Sequence, residues 1–202
     1  LSPLPVDGEQ LVTYLNLVSE TNQEGISTLD EITERGVTKI LKSDGGAYKK
    51  GNISSVIRNL TRLGFFVESH GSYRLRGIVL DFLNDEFEER STAKGHEQIP
   101  TLGHLLLECM EELGIEELDP YISDQMSYFF DAIRKRGADA EWSNREILAR
   151  TSEEEDPIHG FQYKGLTKEG SSRIAQEYLK LLGIIGVIRK EEKSWKLAVD
   201  AD

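Results

Sequence analysis

Ser55, Arg58, Asn59 and Arg62 recur at i, i+3, i+4 and i+7 within "GNISSVIRNLTRLGFF", so a helix would carry all four on one side. Their chemistry suits nucleic acid. A guanidinium can fork onto the O6 and N7 acceptors of guanine, a carboxamide can pair with adenine, and hydroxyls and cations can hold phosphate. Ile53, Val56, Ile57, Leu60 and Leu63 occupy the opposite stripe and predict a buried face. Lys49 and Lys50 lead into the segment, Ser54 adds a second hydroxyl, and Arg74 and Arg76 follow in "SYRLR". There Tyr73 and Leu75 alternate with the two arginines, which a strand would place together on its outer face. The candidate nucleic-acid-binding set is therefore Lys49, Lys50, Ser54, Ser55, Arg58, Asn59, Arg62, Arg74 and Arg76.

The whole-chain charge argues the other way, since 202 residues carry a formal net charge of −12. The distribution resolves the conflict. Residues 35–76 hold nine Lys/Arg against two acids, whereas residues 77–160 hold 21 acids against seven bases. Residues 161–197 return to eight bases against four acids. A local field governs binding more than the total does, and an acidic centre confines any polyanion to one side.

Other chemistry is sparsely supported. His70, His96, His104 and His159 are scattered, and none pairs with a cysteine or carboxylate at ligand spacing. "EEED" at 153–156 lacks the alternating oxygens and turn glycine of a calcium loop. "GSS" at 170–172 lacks the glycine-rich, lysine-containing pattern of a phosphate loop. No nucleophile–base arrangement stands out. The expectation is a binding protein without cofactor or metal and without enzymatic activity. The longest apolar run, "LLGIIGVI", is far shorter than the roughly 18 residues that span a bilayer. The chain opens without a signal-peptide pattern, and its single cysteine, Cys109, fits a reducing compartment, so a cytoplasmic location is expected.

The elements that position these residues follow from a repeat. Shifted by 115 residues, Leu11, Tyr14, Leu15 and Val18 fall on Met126, Phe129, Phe130 and Ile133, both sets at helical spacing. Glu31-Ile32 falls on Glu146-Ile147, and Tyr48-Lys49 on Tyr163-Lys164. At a shift of 119, "LTRLGFF" meets "LKLLGII", and after three more residues "YRL" meets "WKL". Each copy reads as a first helix (about 9–21 and 122–136), a short second helix capped by Ser27 or Ser143, and a third helix (about 52–63 and 171–182). Gly64 or Gly183 ends the third helix, and a hairpin follows, with its tip at "SHGS" in the first copy. Two helical segments, 78–89 and 102–114, lie between the copies.

Three helices followed by a hairpin, with the "LGFF" helix end and the "YRL" strand, resemble the winged helix-turn-helix superfamily over about 10–76 and 125–197. The resemblance implies a mainly α fold with small β-hairpins: winged-helix modules at 1–76 and 121–202 joined by an acidic helical linker at 77–120. It also implies a third helix that enters the major groove of double-stranded DNA and a wing that touches the backbone. A regulator, or the recognition part of a larger DNA-processing or defence protein, would use the fold in this way. The same fold in tandem serves as a protein-binding scaffold, as in the winged-helix partner subunits of SMC complexes, and that alternative stands beside DNA reading. In the second copy the 119 shift places Ile174, Glu177 and Leu181 where the first has Ser55, Arg58 and Arg62. Two aliphatic residues and a carboxylate make a poor reader, so this set is expected to pack, against the chain itself, a protein partner or a second copy.

Overall fold

The computed structural model describes residues 6–42, 45–86, 101–113, 142–143, 168–186, 188–191 and 194–197. It is mainly α-helical with small antiparallel hairpins. The chain divides into two compact units. The first comprises Pro5–Arg90 and Leu105–Leu118; the second comprises Leu1–Leu4, Ser91–His104 and Asp119–Asp202.

In the first unit, α1 (Gly8–Gln23) starts where the Asp7 carboxylate accepts from the Gln10 N–H at 2.9 Å. Its inner face carries Leu11, Tyr14, Leu15 and Val18, all buried, as their spacing requires. Helix α2 (Leu29–Lys39) is capped one residue later than expected. Thr28 rather than Ser27 holds the cap, because its hydroxyl meets both the N–H and the carboxylate of Glu31. The Thr-x-x-Glu spacing is that of a capping box, with the Glu31 carboxylate here accepting from the Thr28 hydroxyl. Helix α3 (Lys50–Arg62) buries Ile53, Val56, Ile57 and Leu60 in one stripe.

Gly64 ends α3 with φ +86°. Its N–H donates to Thr61 O at 3.0 Å, and the Phe65 N–H donates to Leu60 O at 3.0 Å, which satisfies the last carbonyls of the helix. The chain then enters strands β1 (Phe66–Ser69) and β2 (Ser72–Leu75), with Phe66 opposite Leu75 and Ser69 opposite Ser72. His70 and Gly71 at the tip both have positive φ, the combination that matches a two-residue turn to strand twist.

The outer edge of β2 is pinned from two sides. The Tyr73 N–H donates to Ser27 O at 2.7 Å, and Thr28 bridges to Ser72. The Asn22 carboxamide donates to the carbonyls of Ile26 and Tyr73 at 3.1 and 3.0 Å, and its oxygen accepts from the Leu75 N–H at 3.4 Å. One side chain at the end of α1 thus fixes the hairpin to the helical core.

The segments read from sequence as a linker contribute to this unit. Helix α4 (Gly77–Leu83) buries Ile78 and Val79. Helix α5 (Thr101–Leu113) supplies Leu105, Leu106 and Cys109 to the core. Burial, reinforced by the Glu112 carboxylate and only partly offset by Arg76, pushes the Cys109 thiol up to about 12. The thiol is therefore expected to resist alkylation at pH 8 in the native protein and to react within minutes once denatured. A mass-shift assay with and without denaturant checks this.

In the second unit, helix α6 (Lys168–Ile185) leads into strands β4 (Ile188–Glu191) and β5 (Ser194–Leu197). A short strand, β3 (Trp142–Ser143), adds to β5, giving the order β3-β5-β4. Ser143, expected as a helix cap, lies in this strand opposite Ser194. The expected helix at 122–136, with Met126, Phe129, Phe130 and Ile133, lies outside the described residues, as does the segment after Ser143.

The structure corrects the register of the repeat. Helix α6 does not stop at Gly183; it runs to Ile185, and Gly186 takes the left-handed conformation with φ +87°. Gly186 lies 122 residues after Gly64. The same offset relates the pair Phe66–Leu75 to the pair Ile188–Leu197, while the Thr28–Ser72 bridge and the Ser143–Ser194 pair share it only on the hairpin side, since Thr28 and Ser143 keep the earlier shift of 115. The two hairpins are equal in length, and the three extra residues expected in the second are absent.

Candidate nucleic-acid interface

Helix α3 turns by about 100° per residue, and this angle sorts its polar side chains. Ser55, Arg58 and Arg62 fall within an arc of about 60°, and all three are exposed. Ser54 lies off this arc and is half-buried. Asn59 does not belong to the open face. It stands about 40° from Leu63 and about 100° from Arg58, and it is 6 % exposed. At the corrected offset its counterpart is Leu181, which is fully buried. The i, i+3, i+4, i+7 pattern that grouped Asn59 with the arginines spans too wide an arc for all four to face solvent beside so broad a buried stripe.

Arg76 is the second departure. Strand β2 ends at Leu75, and Arg76 occupies the N-cap of α4, so strand alternation no longer governs its side chain. Its side chain is 19 % exposed and lies 3.9 Å from the Glu112 carboxylate on α5. Its Nε is buried without a hydrogen-bond partner. Arg76 therefore ties the hairpin end to α5 and does not share an outer face with Arg74. Arg74 itself is exposed, opposite Val67.

Lys49 and Lys50 are exposed at the start of α3. Lys49 is the N-cap and makes no side-chain capping bond, and the first turn contains no acid. The free N–H groups and positive end of the helix dipole therefore face outward beside two ammonium groups. Lys50 is shared with Glu34 of α2 at 2.5 Å. The hydrogen bond from Lys50, and then its charge, hold the Glu34 carboxyl below the usual range. A lowered pKa means that the pair is present at neutral pH and is lost as pH falls through that lowered value. Glu34→Gln is thus expected to free the Lys50 ammonium, which would add about 0.9 to the salt slope of any polyanion binding at this face. Parallel titrations of the two proteins read this directly.

Among the described residues, no carboxylate pairs with Lys49, Arg58, Arg62 or Arg74. Sequence reasoning passed over Lys42, which is exposed in the loop between α2 and α3 and lies 5.9 Å from the centre of the Tyr48 ring. It also passed over the positioning residue Asn22, whose role depends on contacts some 50 residues away.

Ile174, Glu177 and Leu181 are buried within the single chain, at 5 %, 4 % and 0 % exposure. The corrected offset changes their counterparts. Glu177 matches Ser55, Lys180 matches Arg58, and Ile184 matches Arg62. Glu177 also lies 3.9 Å from Arg173, one turn earlier on α6. Among the described residues, no group of three His, Cys, Asp or Glu is placed to hold a metal, and no helix is long and apolar enough to cross a membrane.

No protein-family model matches the chain, and no curated protein matches it. One solved structure with similarity is the BpuJ1 endonuclease binding domain, crystallised with pyrene- and phenanthrene-modified DNA. The identity is 14 %, the alignment covers 94 % of this chain and 75 % of that one, and the TM-score is 0.42. So low a score carries no weight for function, and the side chains of α3 and the hairpin have to supply it.

Proposed function

We propose that this chain binds duplex DNA through its first unit, in the manner of a winged helix, with α3 in the major groove and β1–β2 as the wing. The observation that carries this reading is the open arc of α3. Arg58 and Arg62 stand there with Ser55, exposed and without a carboxylate partner among the described residues. Cations left unneutralised on one helix face are what a polyanion displaces counterions from. Lys49 and the uncapped first turn of α3 would hold phosphate, and Arg74 would meet the backbone from the wing.

In this reading the second unit is a related module given over to packing. Its counterpart of Ser55 is a buried carboxylate, and its counterpart of Arg62 is Ile184. A buried Glu177 cannot approach phosphate, and an aliphatic side chain has nothing to offer a base edge beyond contact.

Salt dependence tests the proposal. Lys49 and Arg74, with Lys50 partly held by Glu34, should give a slope of log K against log salt near −2 to −3 if Arg58 and Arg62 meet base edges, steepening to about −4 if both meet phosphate, from about 0.9 per phosphate neutralised. Arg76 is excluded from that count by its ion pair with Glu112. Fluorescence anisotropy with a labelled duplex at four or five salt concentrations measures the slope. A flat dependence, or no binding at 50 mM salt, would favour the scaffold role instead.

A further inference from the structure

We infer that the DNA this chain selects is defined by guanine, with two guanines on neighbouring or next-neighbouring base pairs read from the major groove by Arg58 and Arg62. The inference rests on the DNA-binding reading above and concerns what that same site recognises.

Base edges in the major groove are told apart by complementary chemistry. Adenine calls for a carboxamide, cytosine for a carboxylate that accepts from its amino group, and guanine for a bidentate donor. Helix α3 has no acidic residue, so it offers no acceptor of the cytosine-reading kind. Its mid-helix carboxamide, Asn59, is 6 % exposed and faces the core side. Its other carboxamide, Asn52, is exposed in the first turn, but about 120° around the axis from Arg58, so the two cannot enter one groove floor together. What remains on the open arc is two guanidinium forks and the short hydroxyl of Ser55. Neither fork is occupied by a carboxylate among the described residues.

Spacing sets the register. Residues four apart on a helix rise about 6 Å along its axis and lie on the same side. A duplex rises about 3.4 Å per base pair along its axis. The two forks therefore stand between one and two base-pair steps apart, the larger figure applying as the helix turns towards the duplex axis.

Selection of the full chain against a randomised duplex library should enrich a GG or GNG element. In the selected duplex, replacing one such guanine by 7-deazaguanine removes N7 and should weaken binding roughly five- to a hundredfold, the range of one bidentate contact. Replacing it by inosine keeps O6 and N7, removes only the minor-groove amine, and should leave affinity within about threefold. Arg58→Ala removes the donor and should abolish sensitivity to 7-deazaguanine at one position, whereas Arg58→Lys, which keeps the charge but not the planar fork, should only reduce that sensitivity while preserving the salt slope. Selected sites without guanine, or tolerance of 7-deazaguanine with intolerance of inosine, would overturn the guanine inference while leaving DNA binding intact. Absence of duplex binding at low salt would overturn both.

Discussion

Gly64→Ala is expected to lower the stability of the first unit by about 2–5 kcal/mol. Two separate effects contribute. An alanine held at the φ of +86° seen at Gly64 sits in the left-handed region, at a cost of about 1–2 kcal/mol. A Cβ at this position would also lie 2.3 Å from the Cys109 carbonyl oxygen and 2.9 Å from its carbon. Those are backbone atoms of α5, so no rotamer change relieves the clash, and overpacking of this kind typically costs a further 1–3 kcal/mol. Gly71→Ala separates the terms, because Gly71 has φ +79° but open space around its Cβ position. Chemical denaturation of both variants, followed by circular dichroism, should show the larger loss at Gly64. Equal losses would mean that α5 yields freely and that its close approach to the end of α3 is not a constraint.

The paired substitution Arg58→Ala and Arg62→Ala should reduce duplex affinity by about a hundredfold or more in 0.1 M salt. Each guanidinium is assigned a contact worth about 1–3 kcal/mol if it meets a base, with a smaller, sequence-independent share if it meets phosphate. The salt slope should flatten by at most about 1.8, the value if both cations were neutralising phosphate. Both side chains are exposed, so circular dichroism should be unchanged. Lys180→Ala, at the equivalent place on α6, should leave affinity close to that of the parent. If Lys180→Ala instead removes as much binding as the arginine pair, the second unit reads DNA and the division of labour proposed between the units is wrong.

The helices and the hairpin of the first unit were legible in the sequence because local chemistry announces them, whereas strand β3, where a helix cap was expected at Ser143, and the end of α4 at Leu83 rather than near residue 89 were not. The spacing of Leu11, Tyr14, Leu15 and Val18 marks a helix face, the stripe from Ile53 to Leu60 marks another, and "SHGS" marks a hairpin tip. The mainly α fold with small hairpins follows from these patterns. Exposure of Ser55, Arg58 and Arg62 follows too, since they lie opposite the apolar stripe.

What the sequence left open, the tertiary structure decided, for a consistent physical reason. A helix repeats every 3.6 residues, so sliding one copy of the repeat by three rotates its pattern by only about 60° and leaves the apolar stripes overlapping. Periodicity could not distinguish an offset of 119 from one of 122; the left-handed conformations of Gly64 and Gly186 and the hairpin pairings do. Asn59 sits at the margin of a stripe whose width depends on what packs against it, so its burial is a property of the assembled unit. Arg76 lies one residue beyond a strand whose end is set by the start of α4, and its partner Glu112 is 36 residues away. Local sequence determines which face a residue can take; the width of the buried face and the identity of a distant partner exist only once the helices have closed on one another.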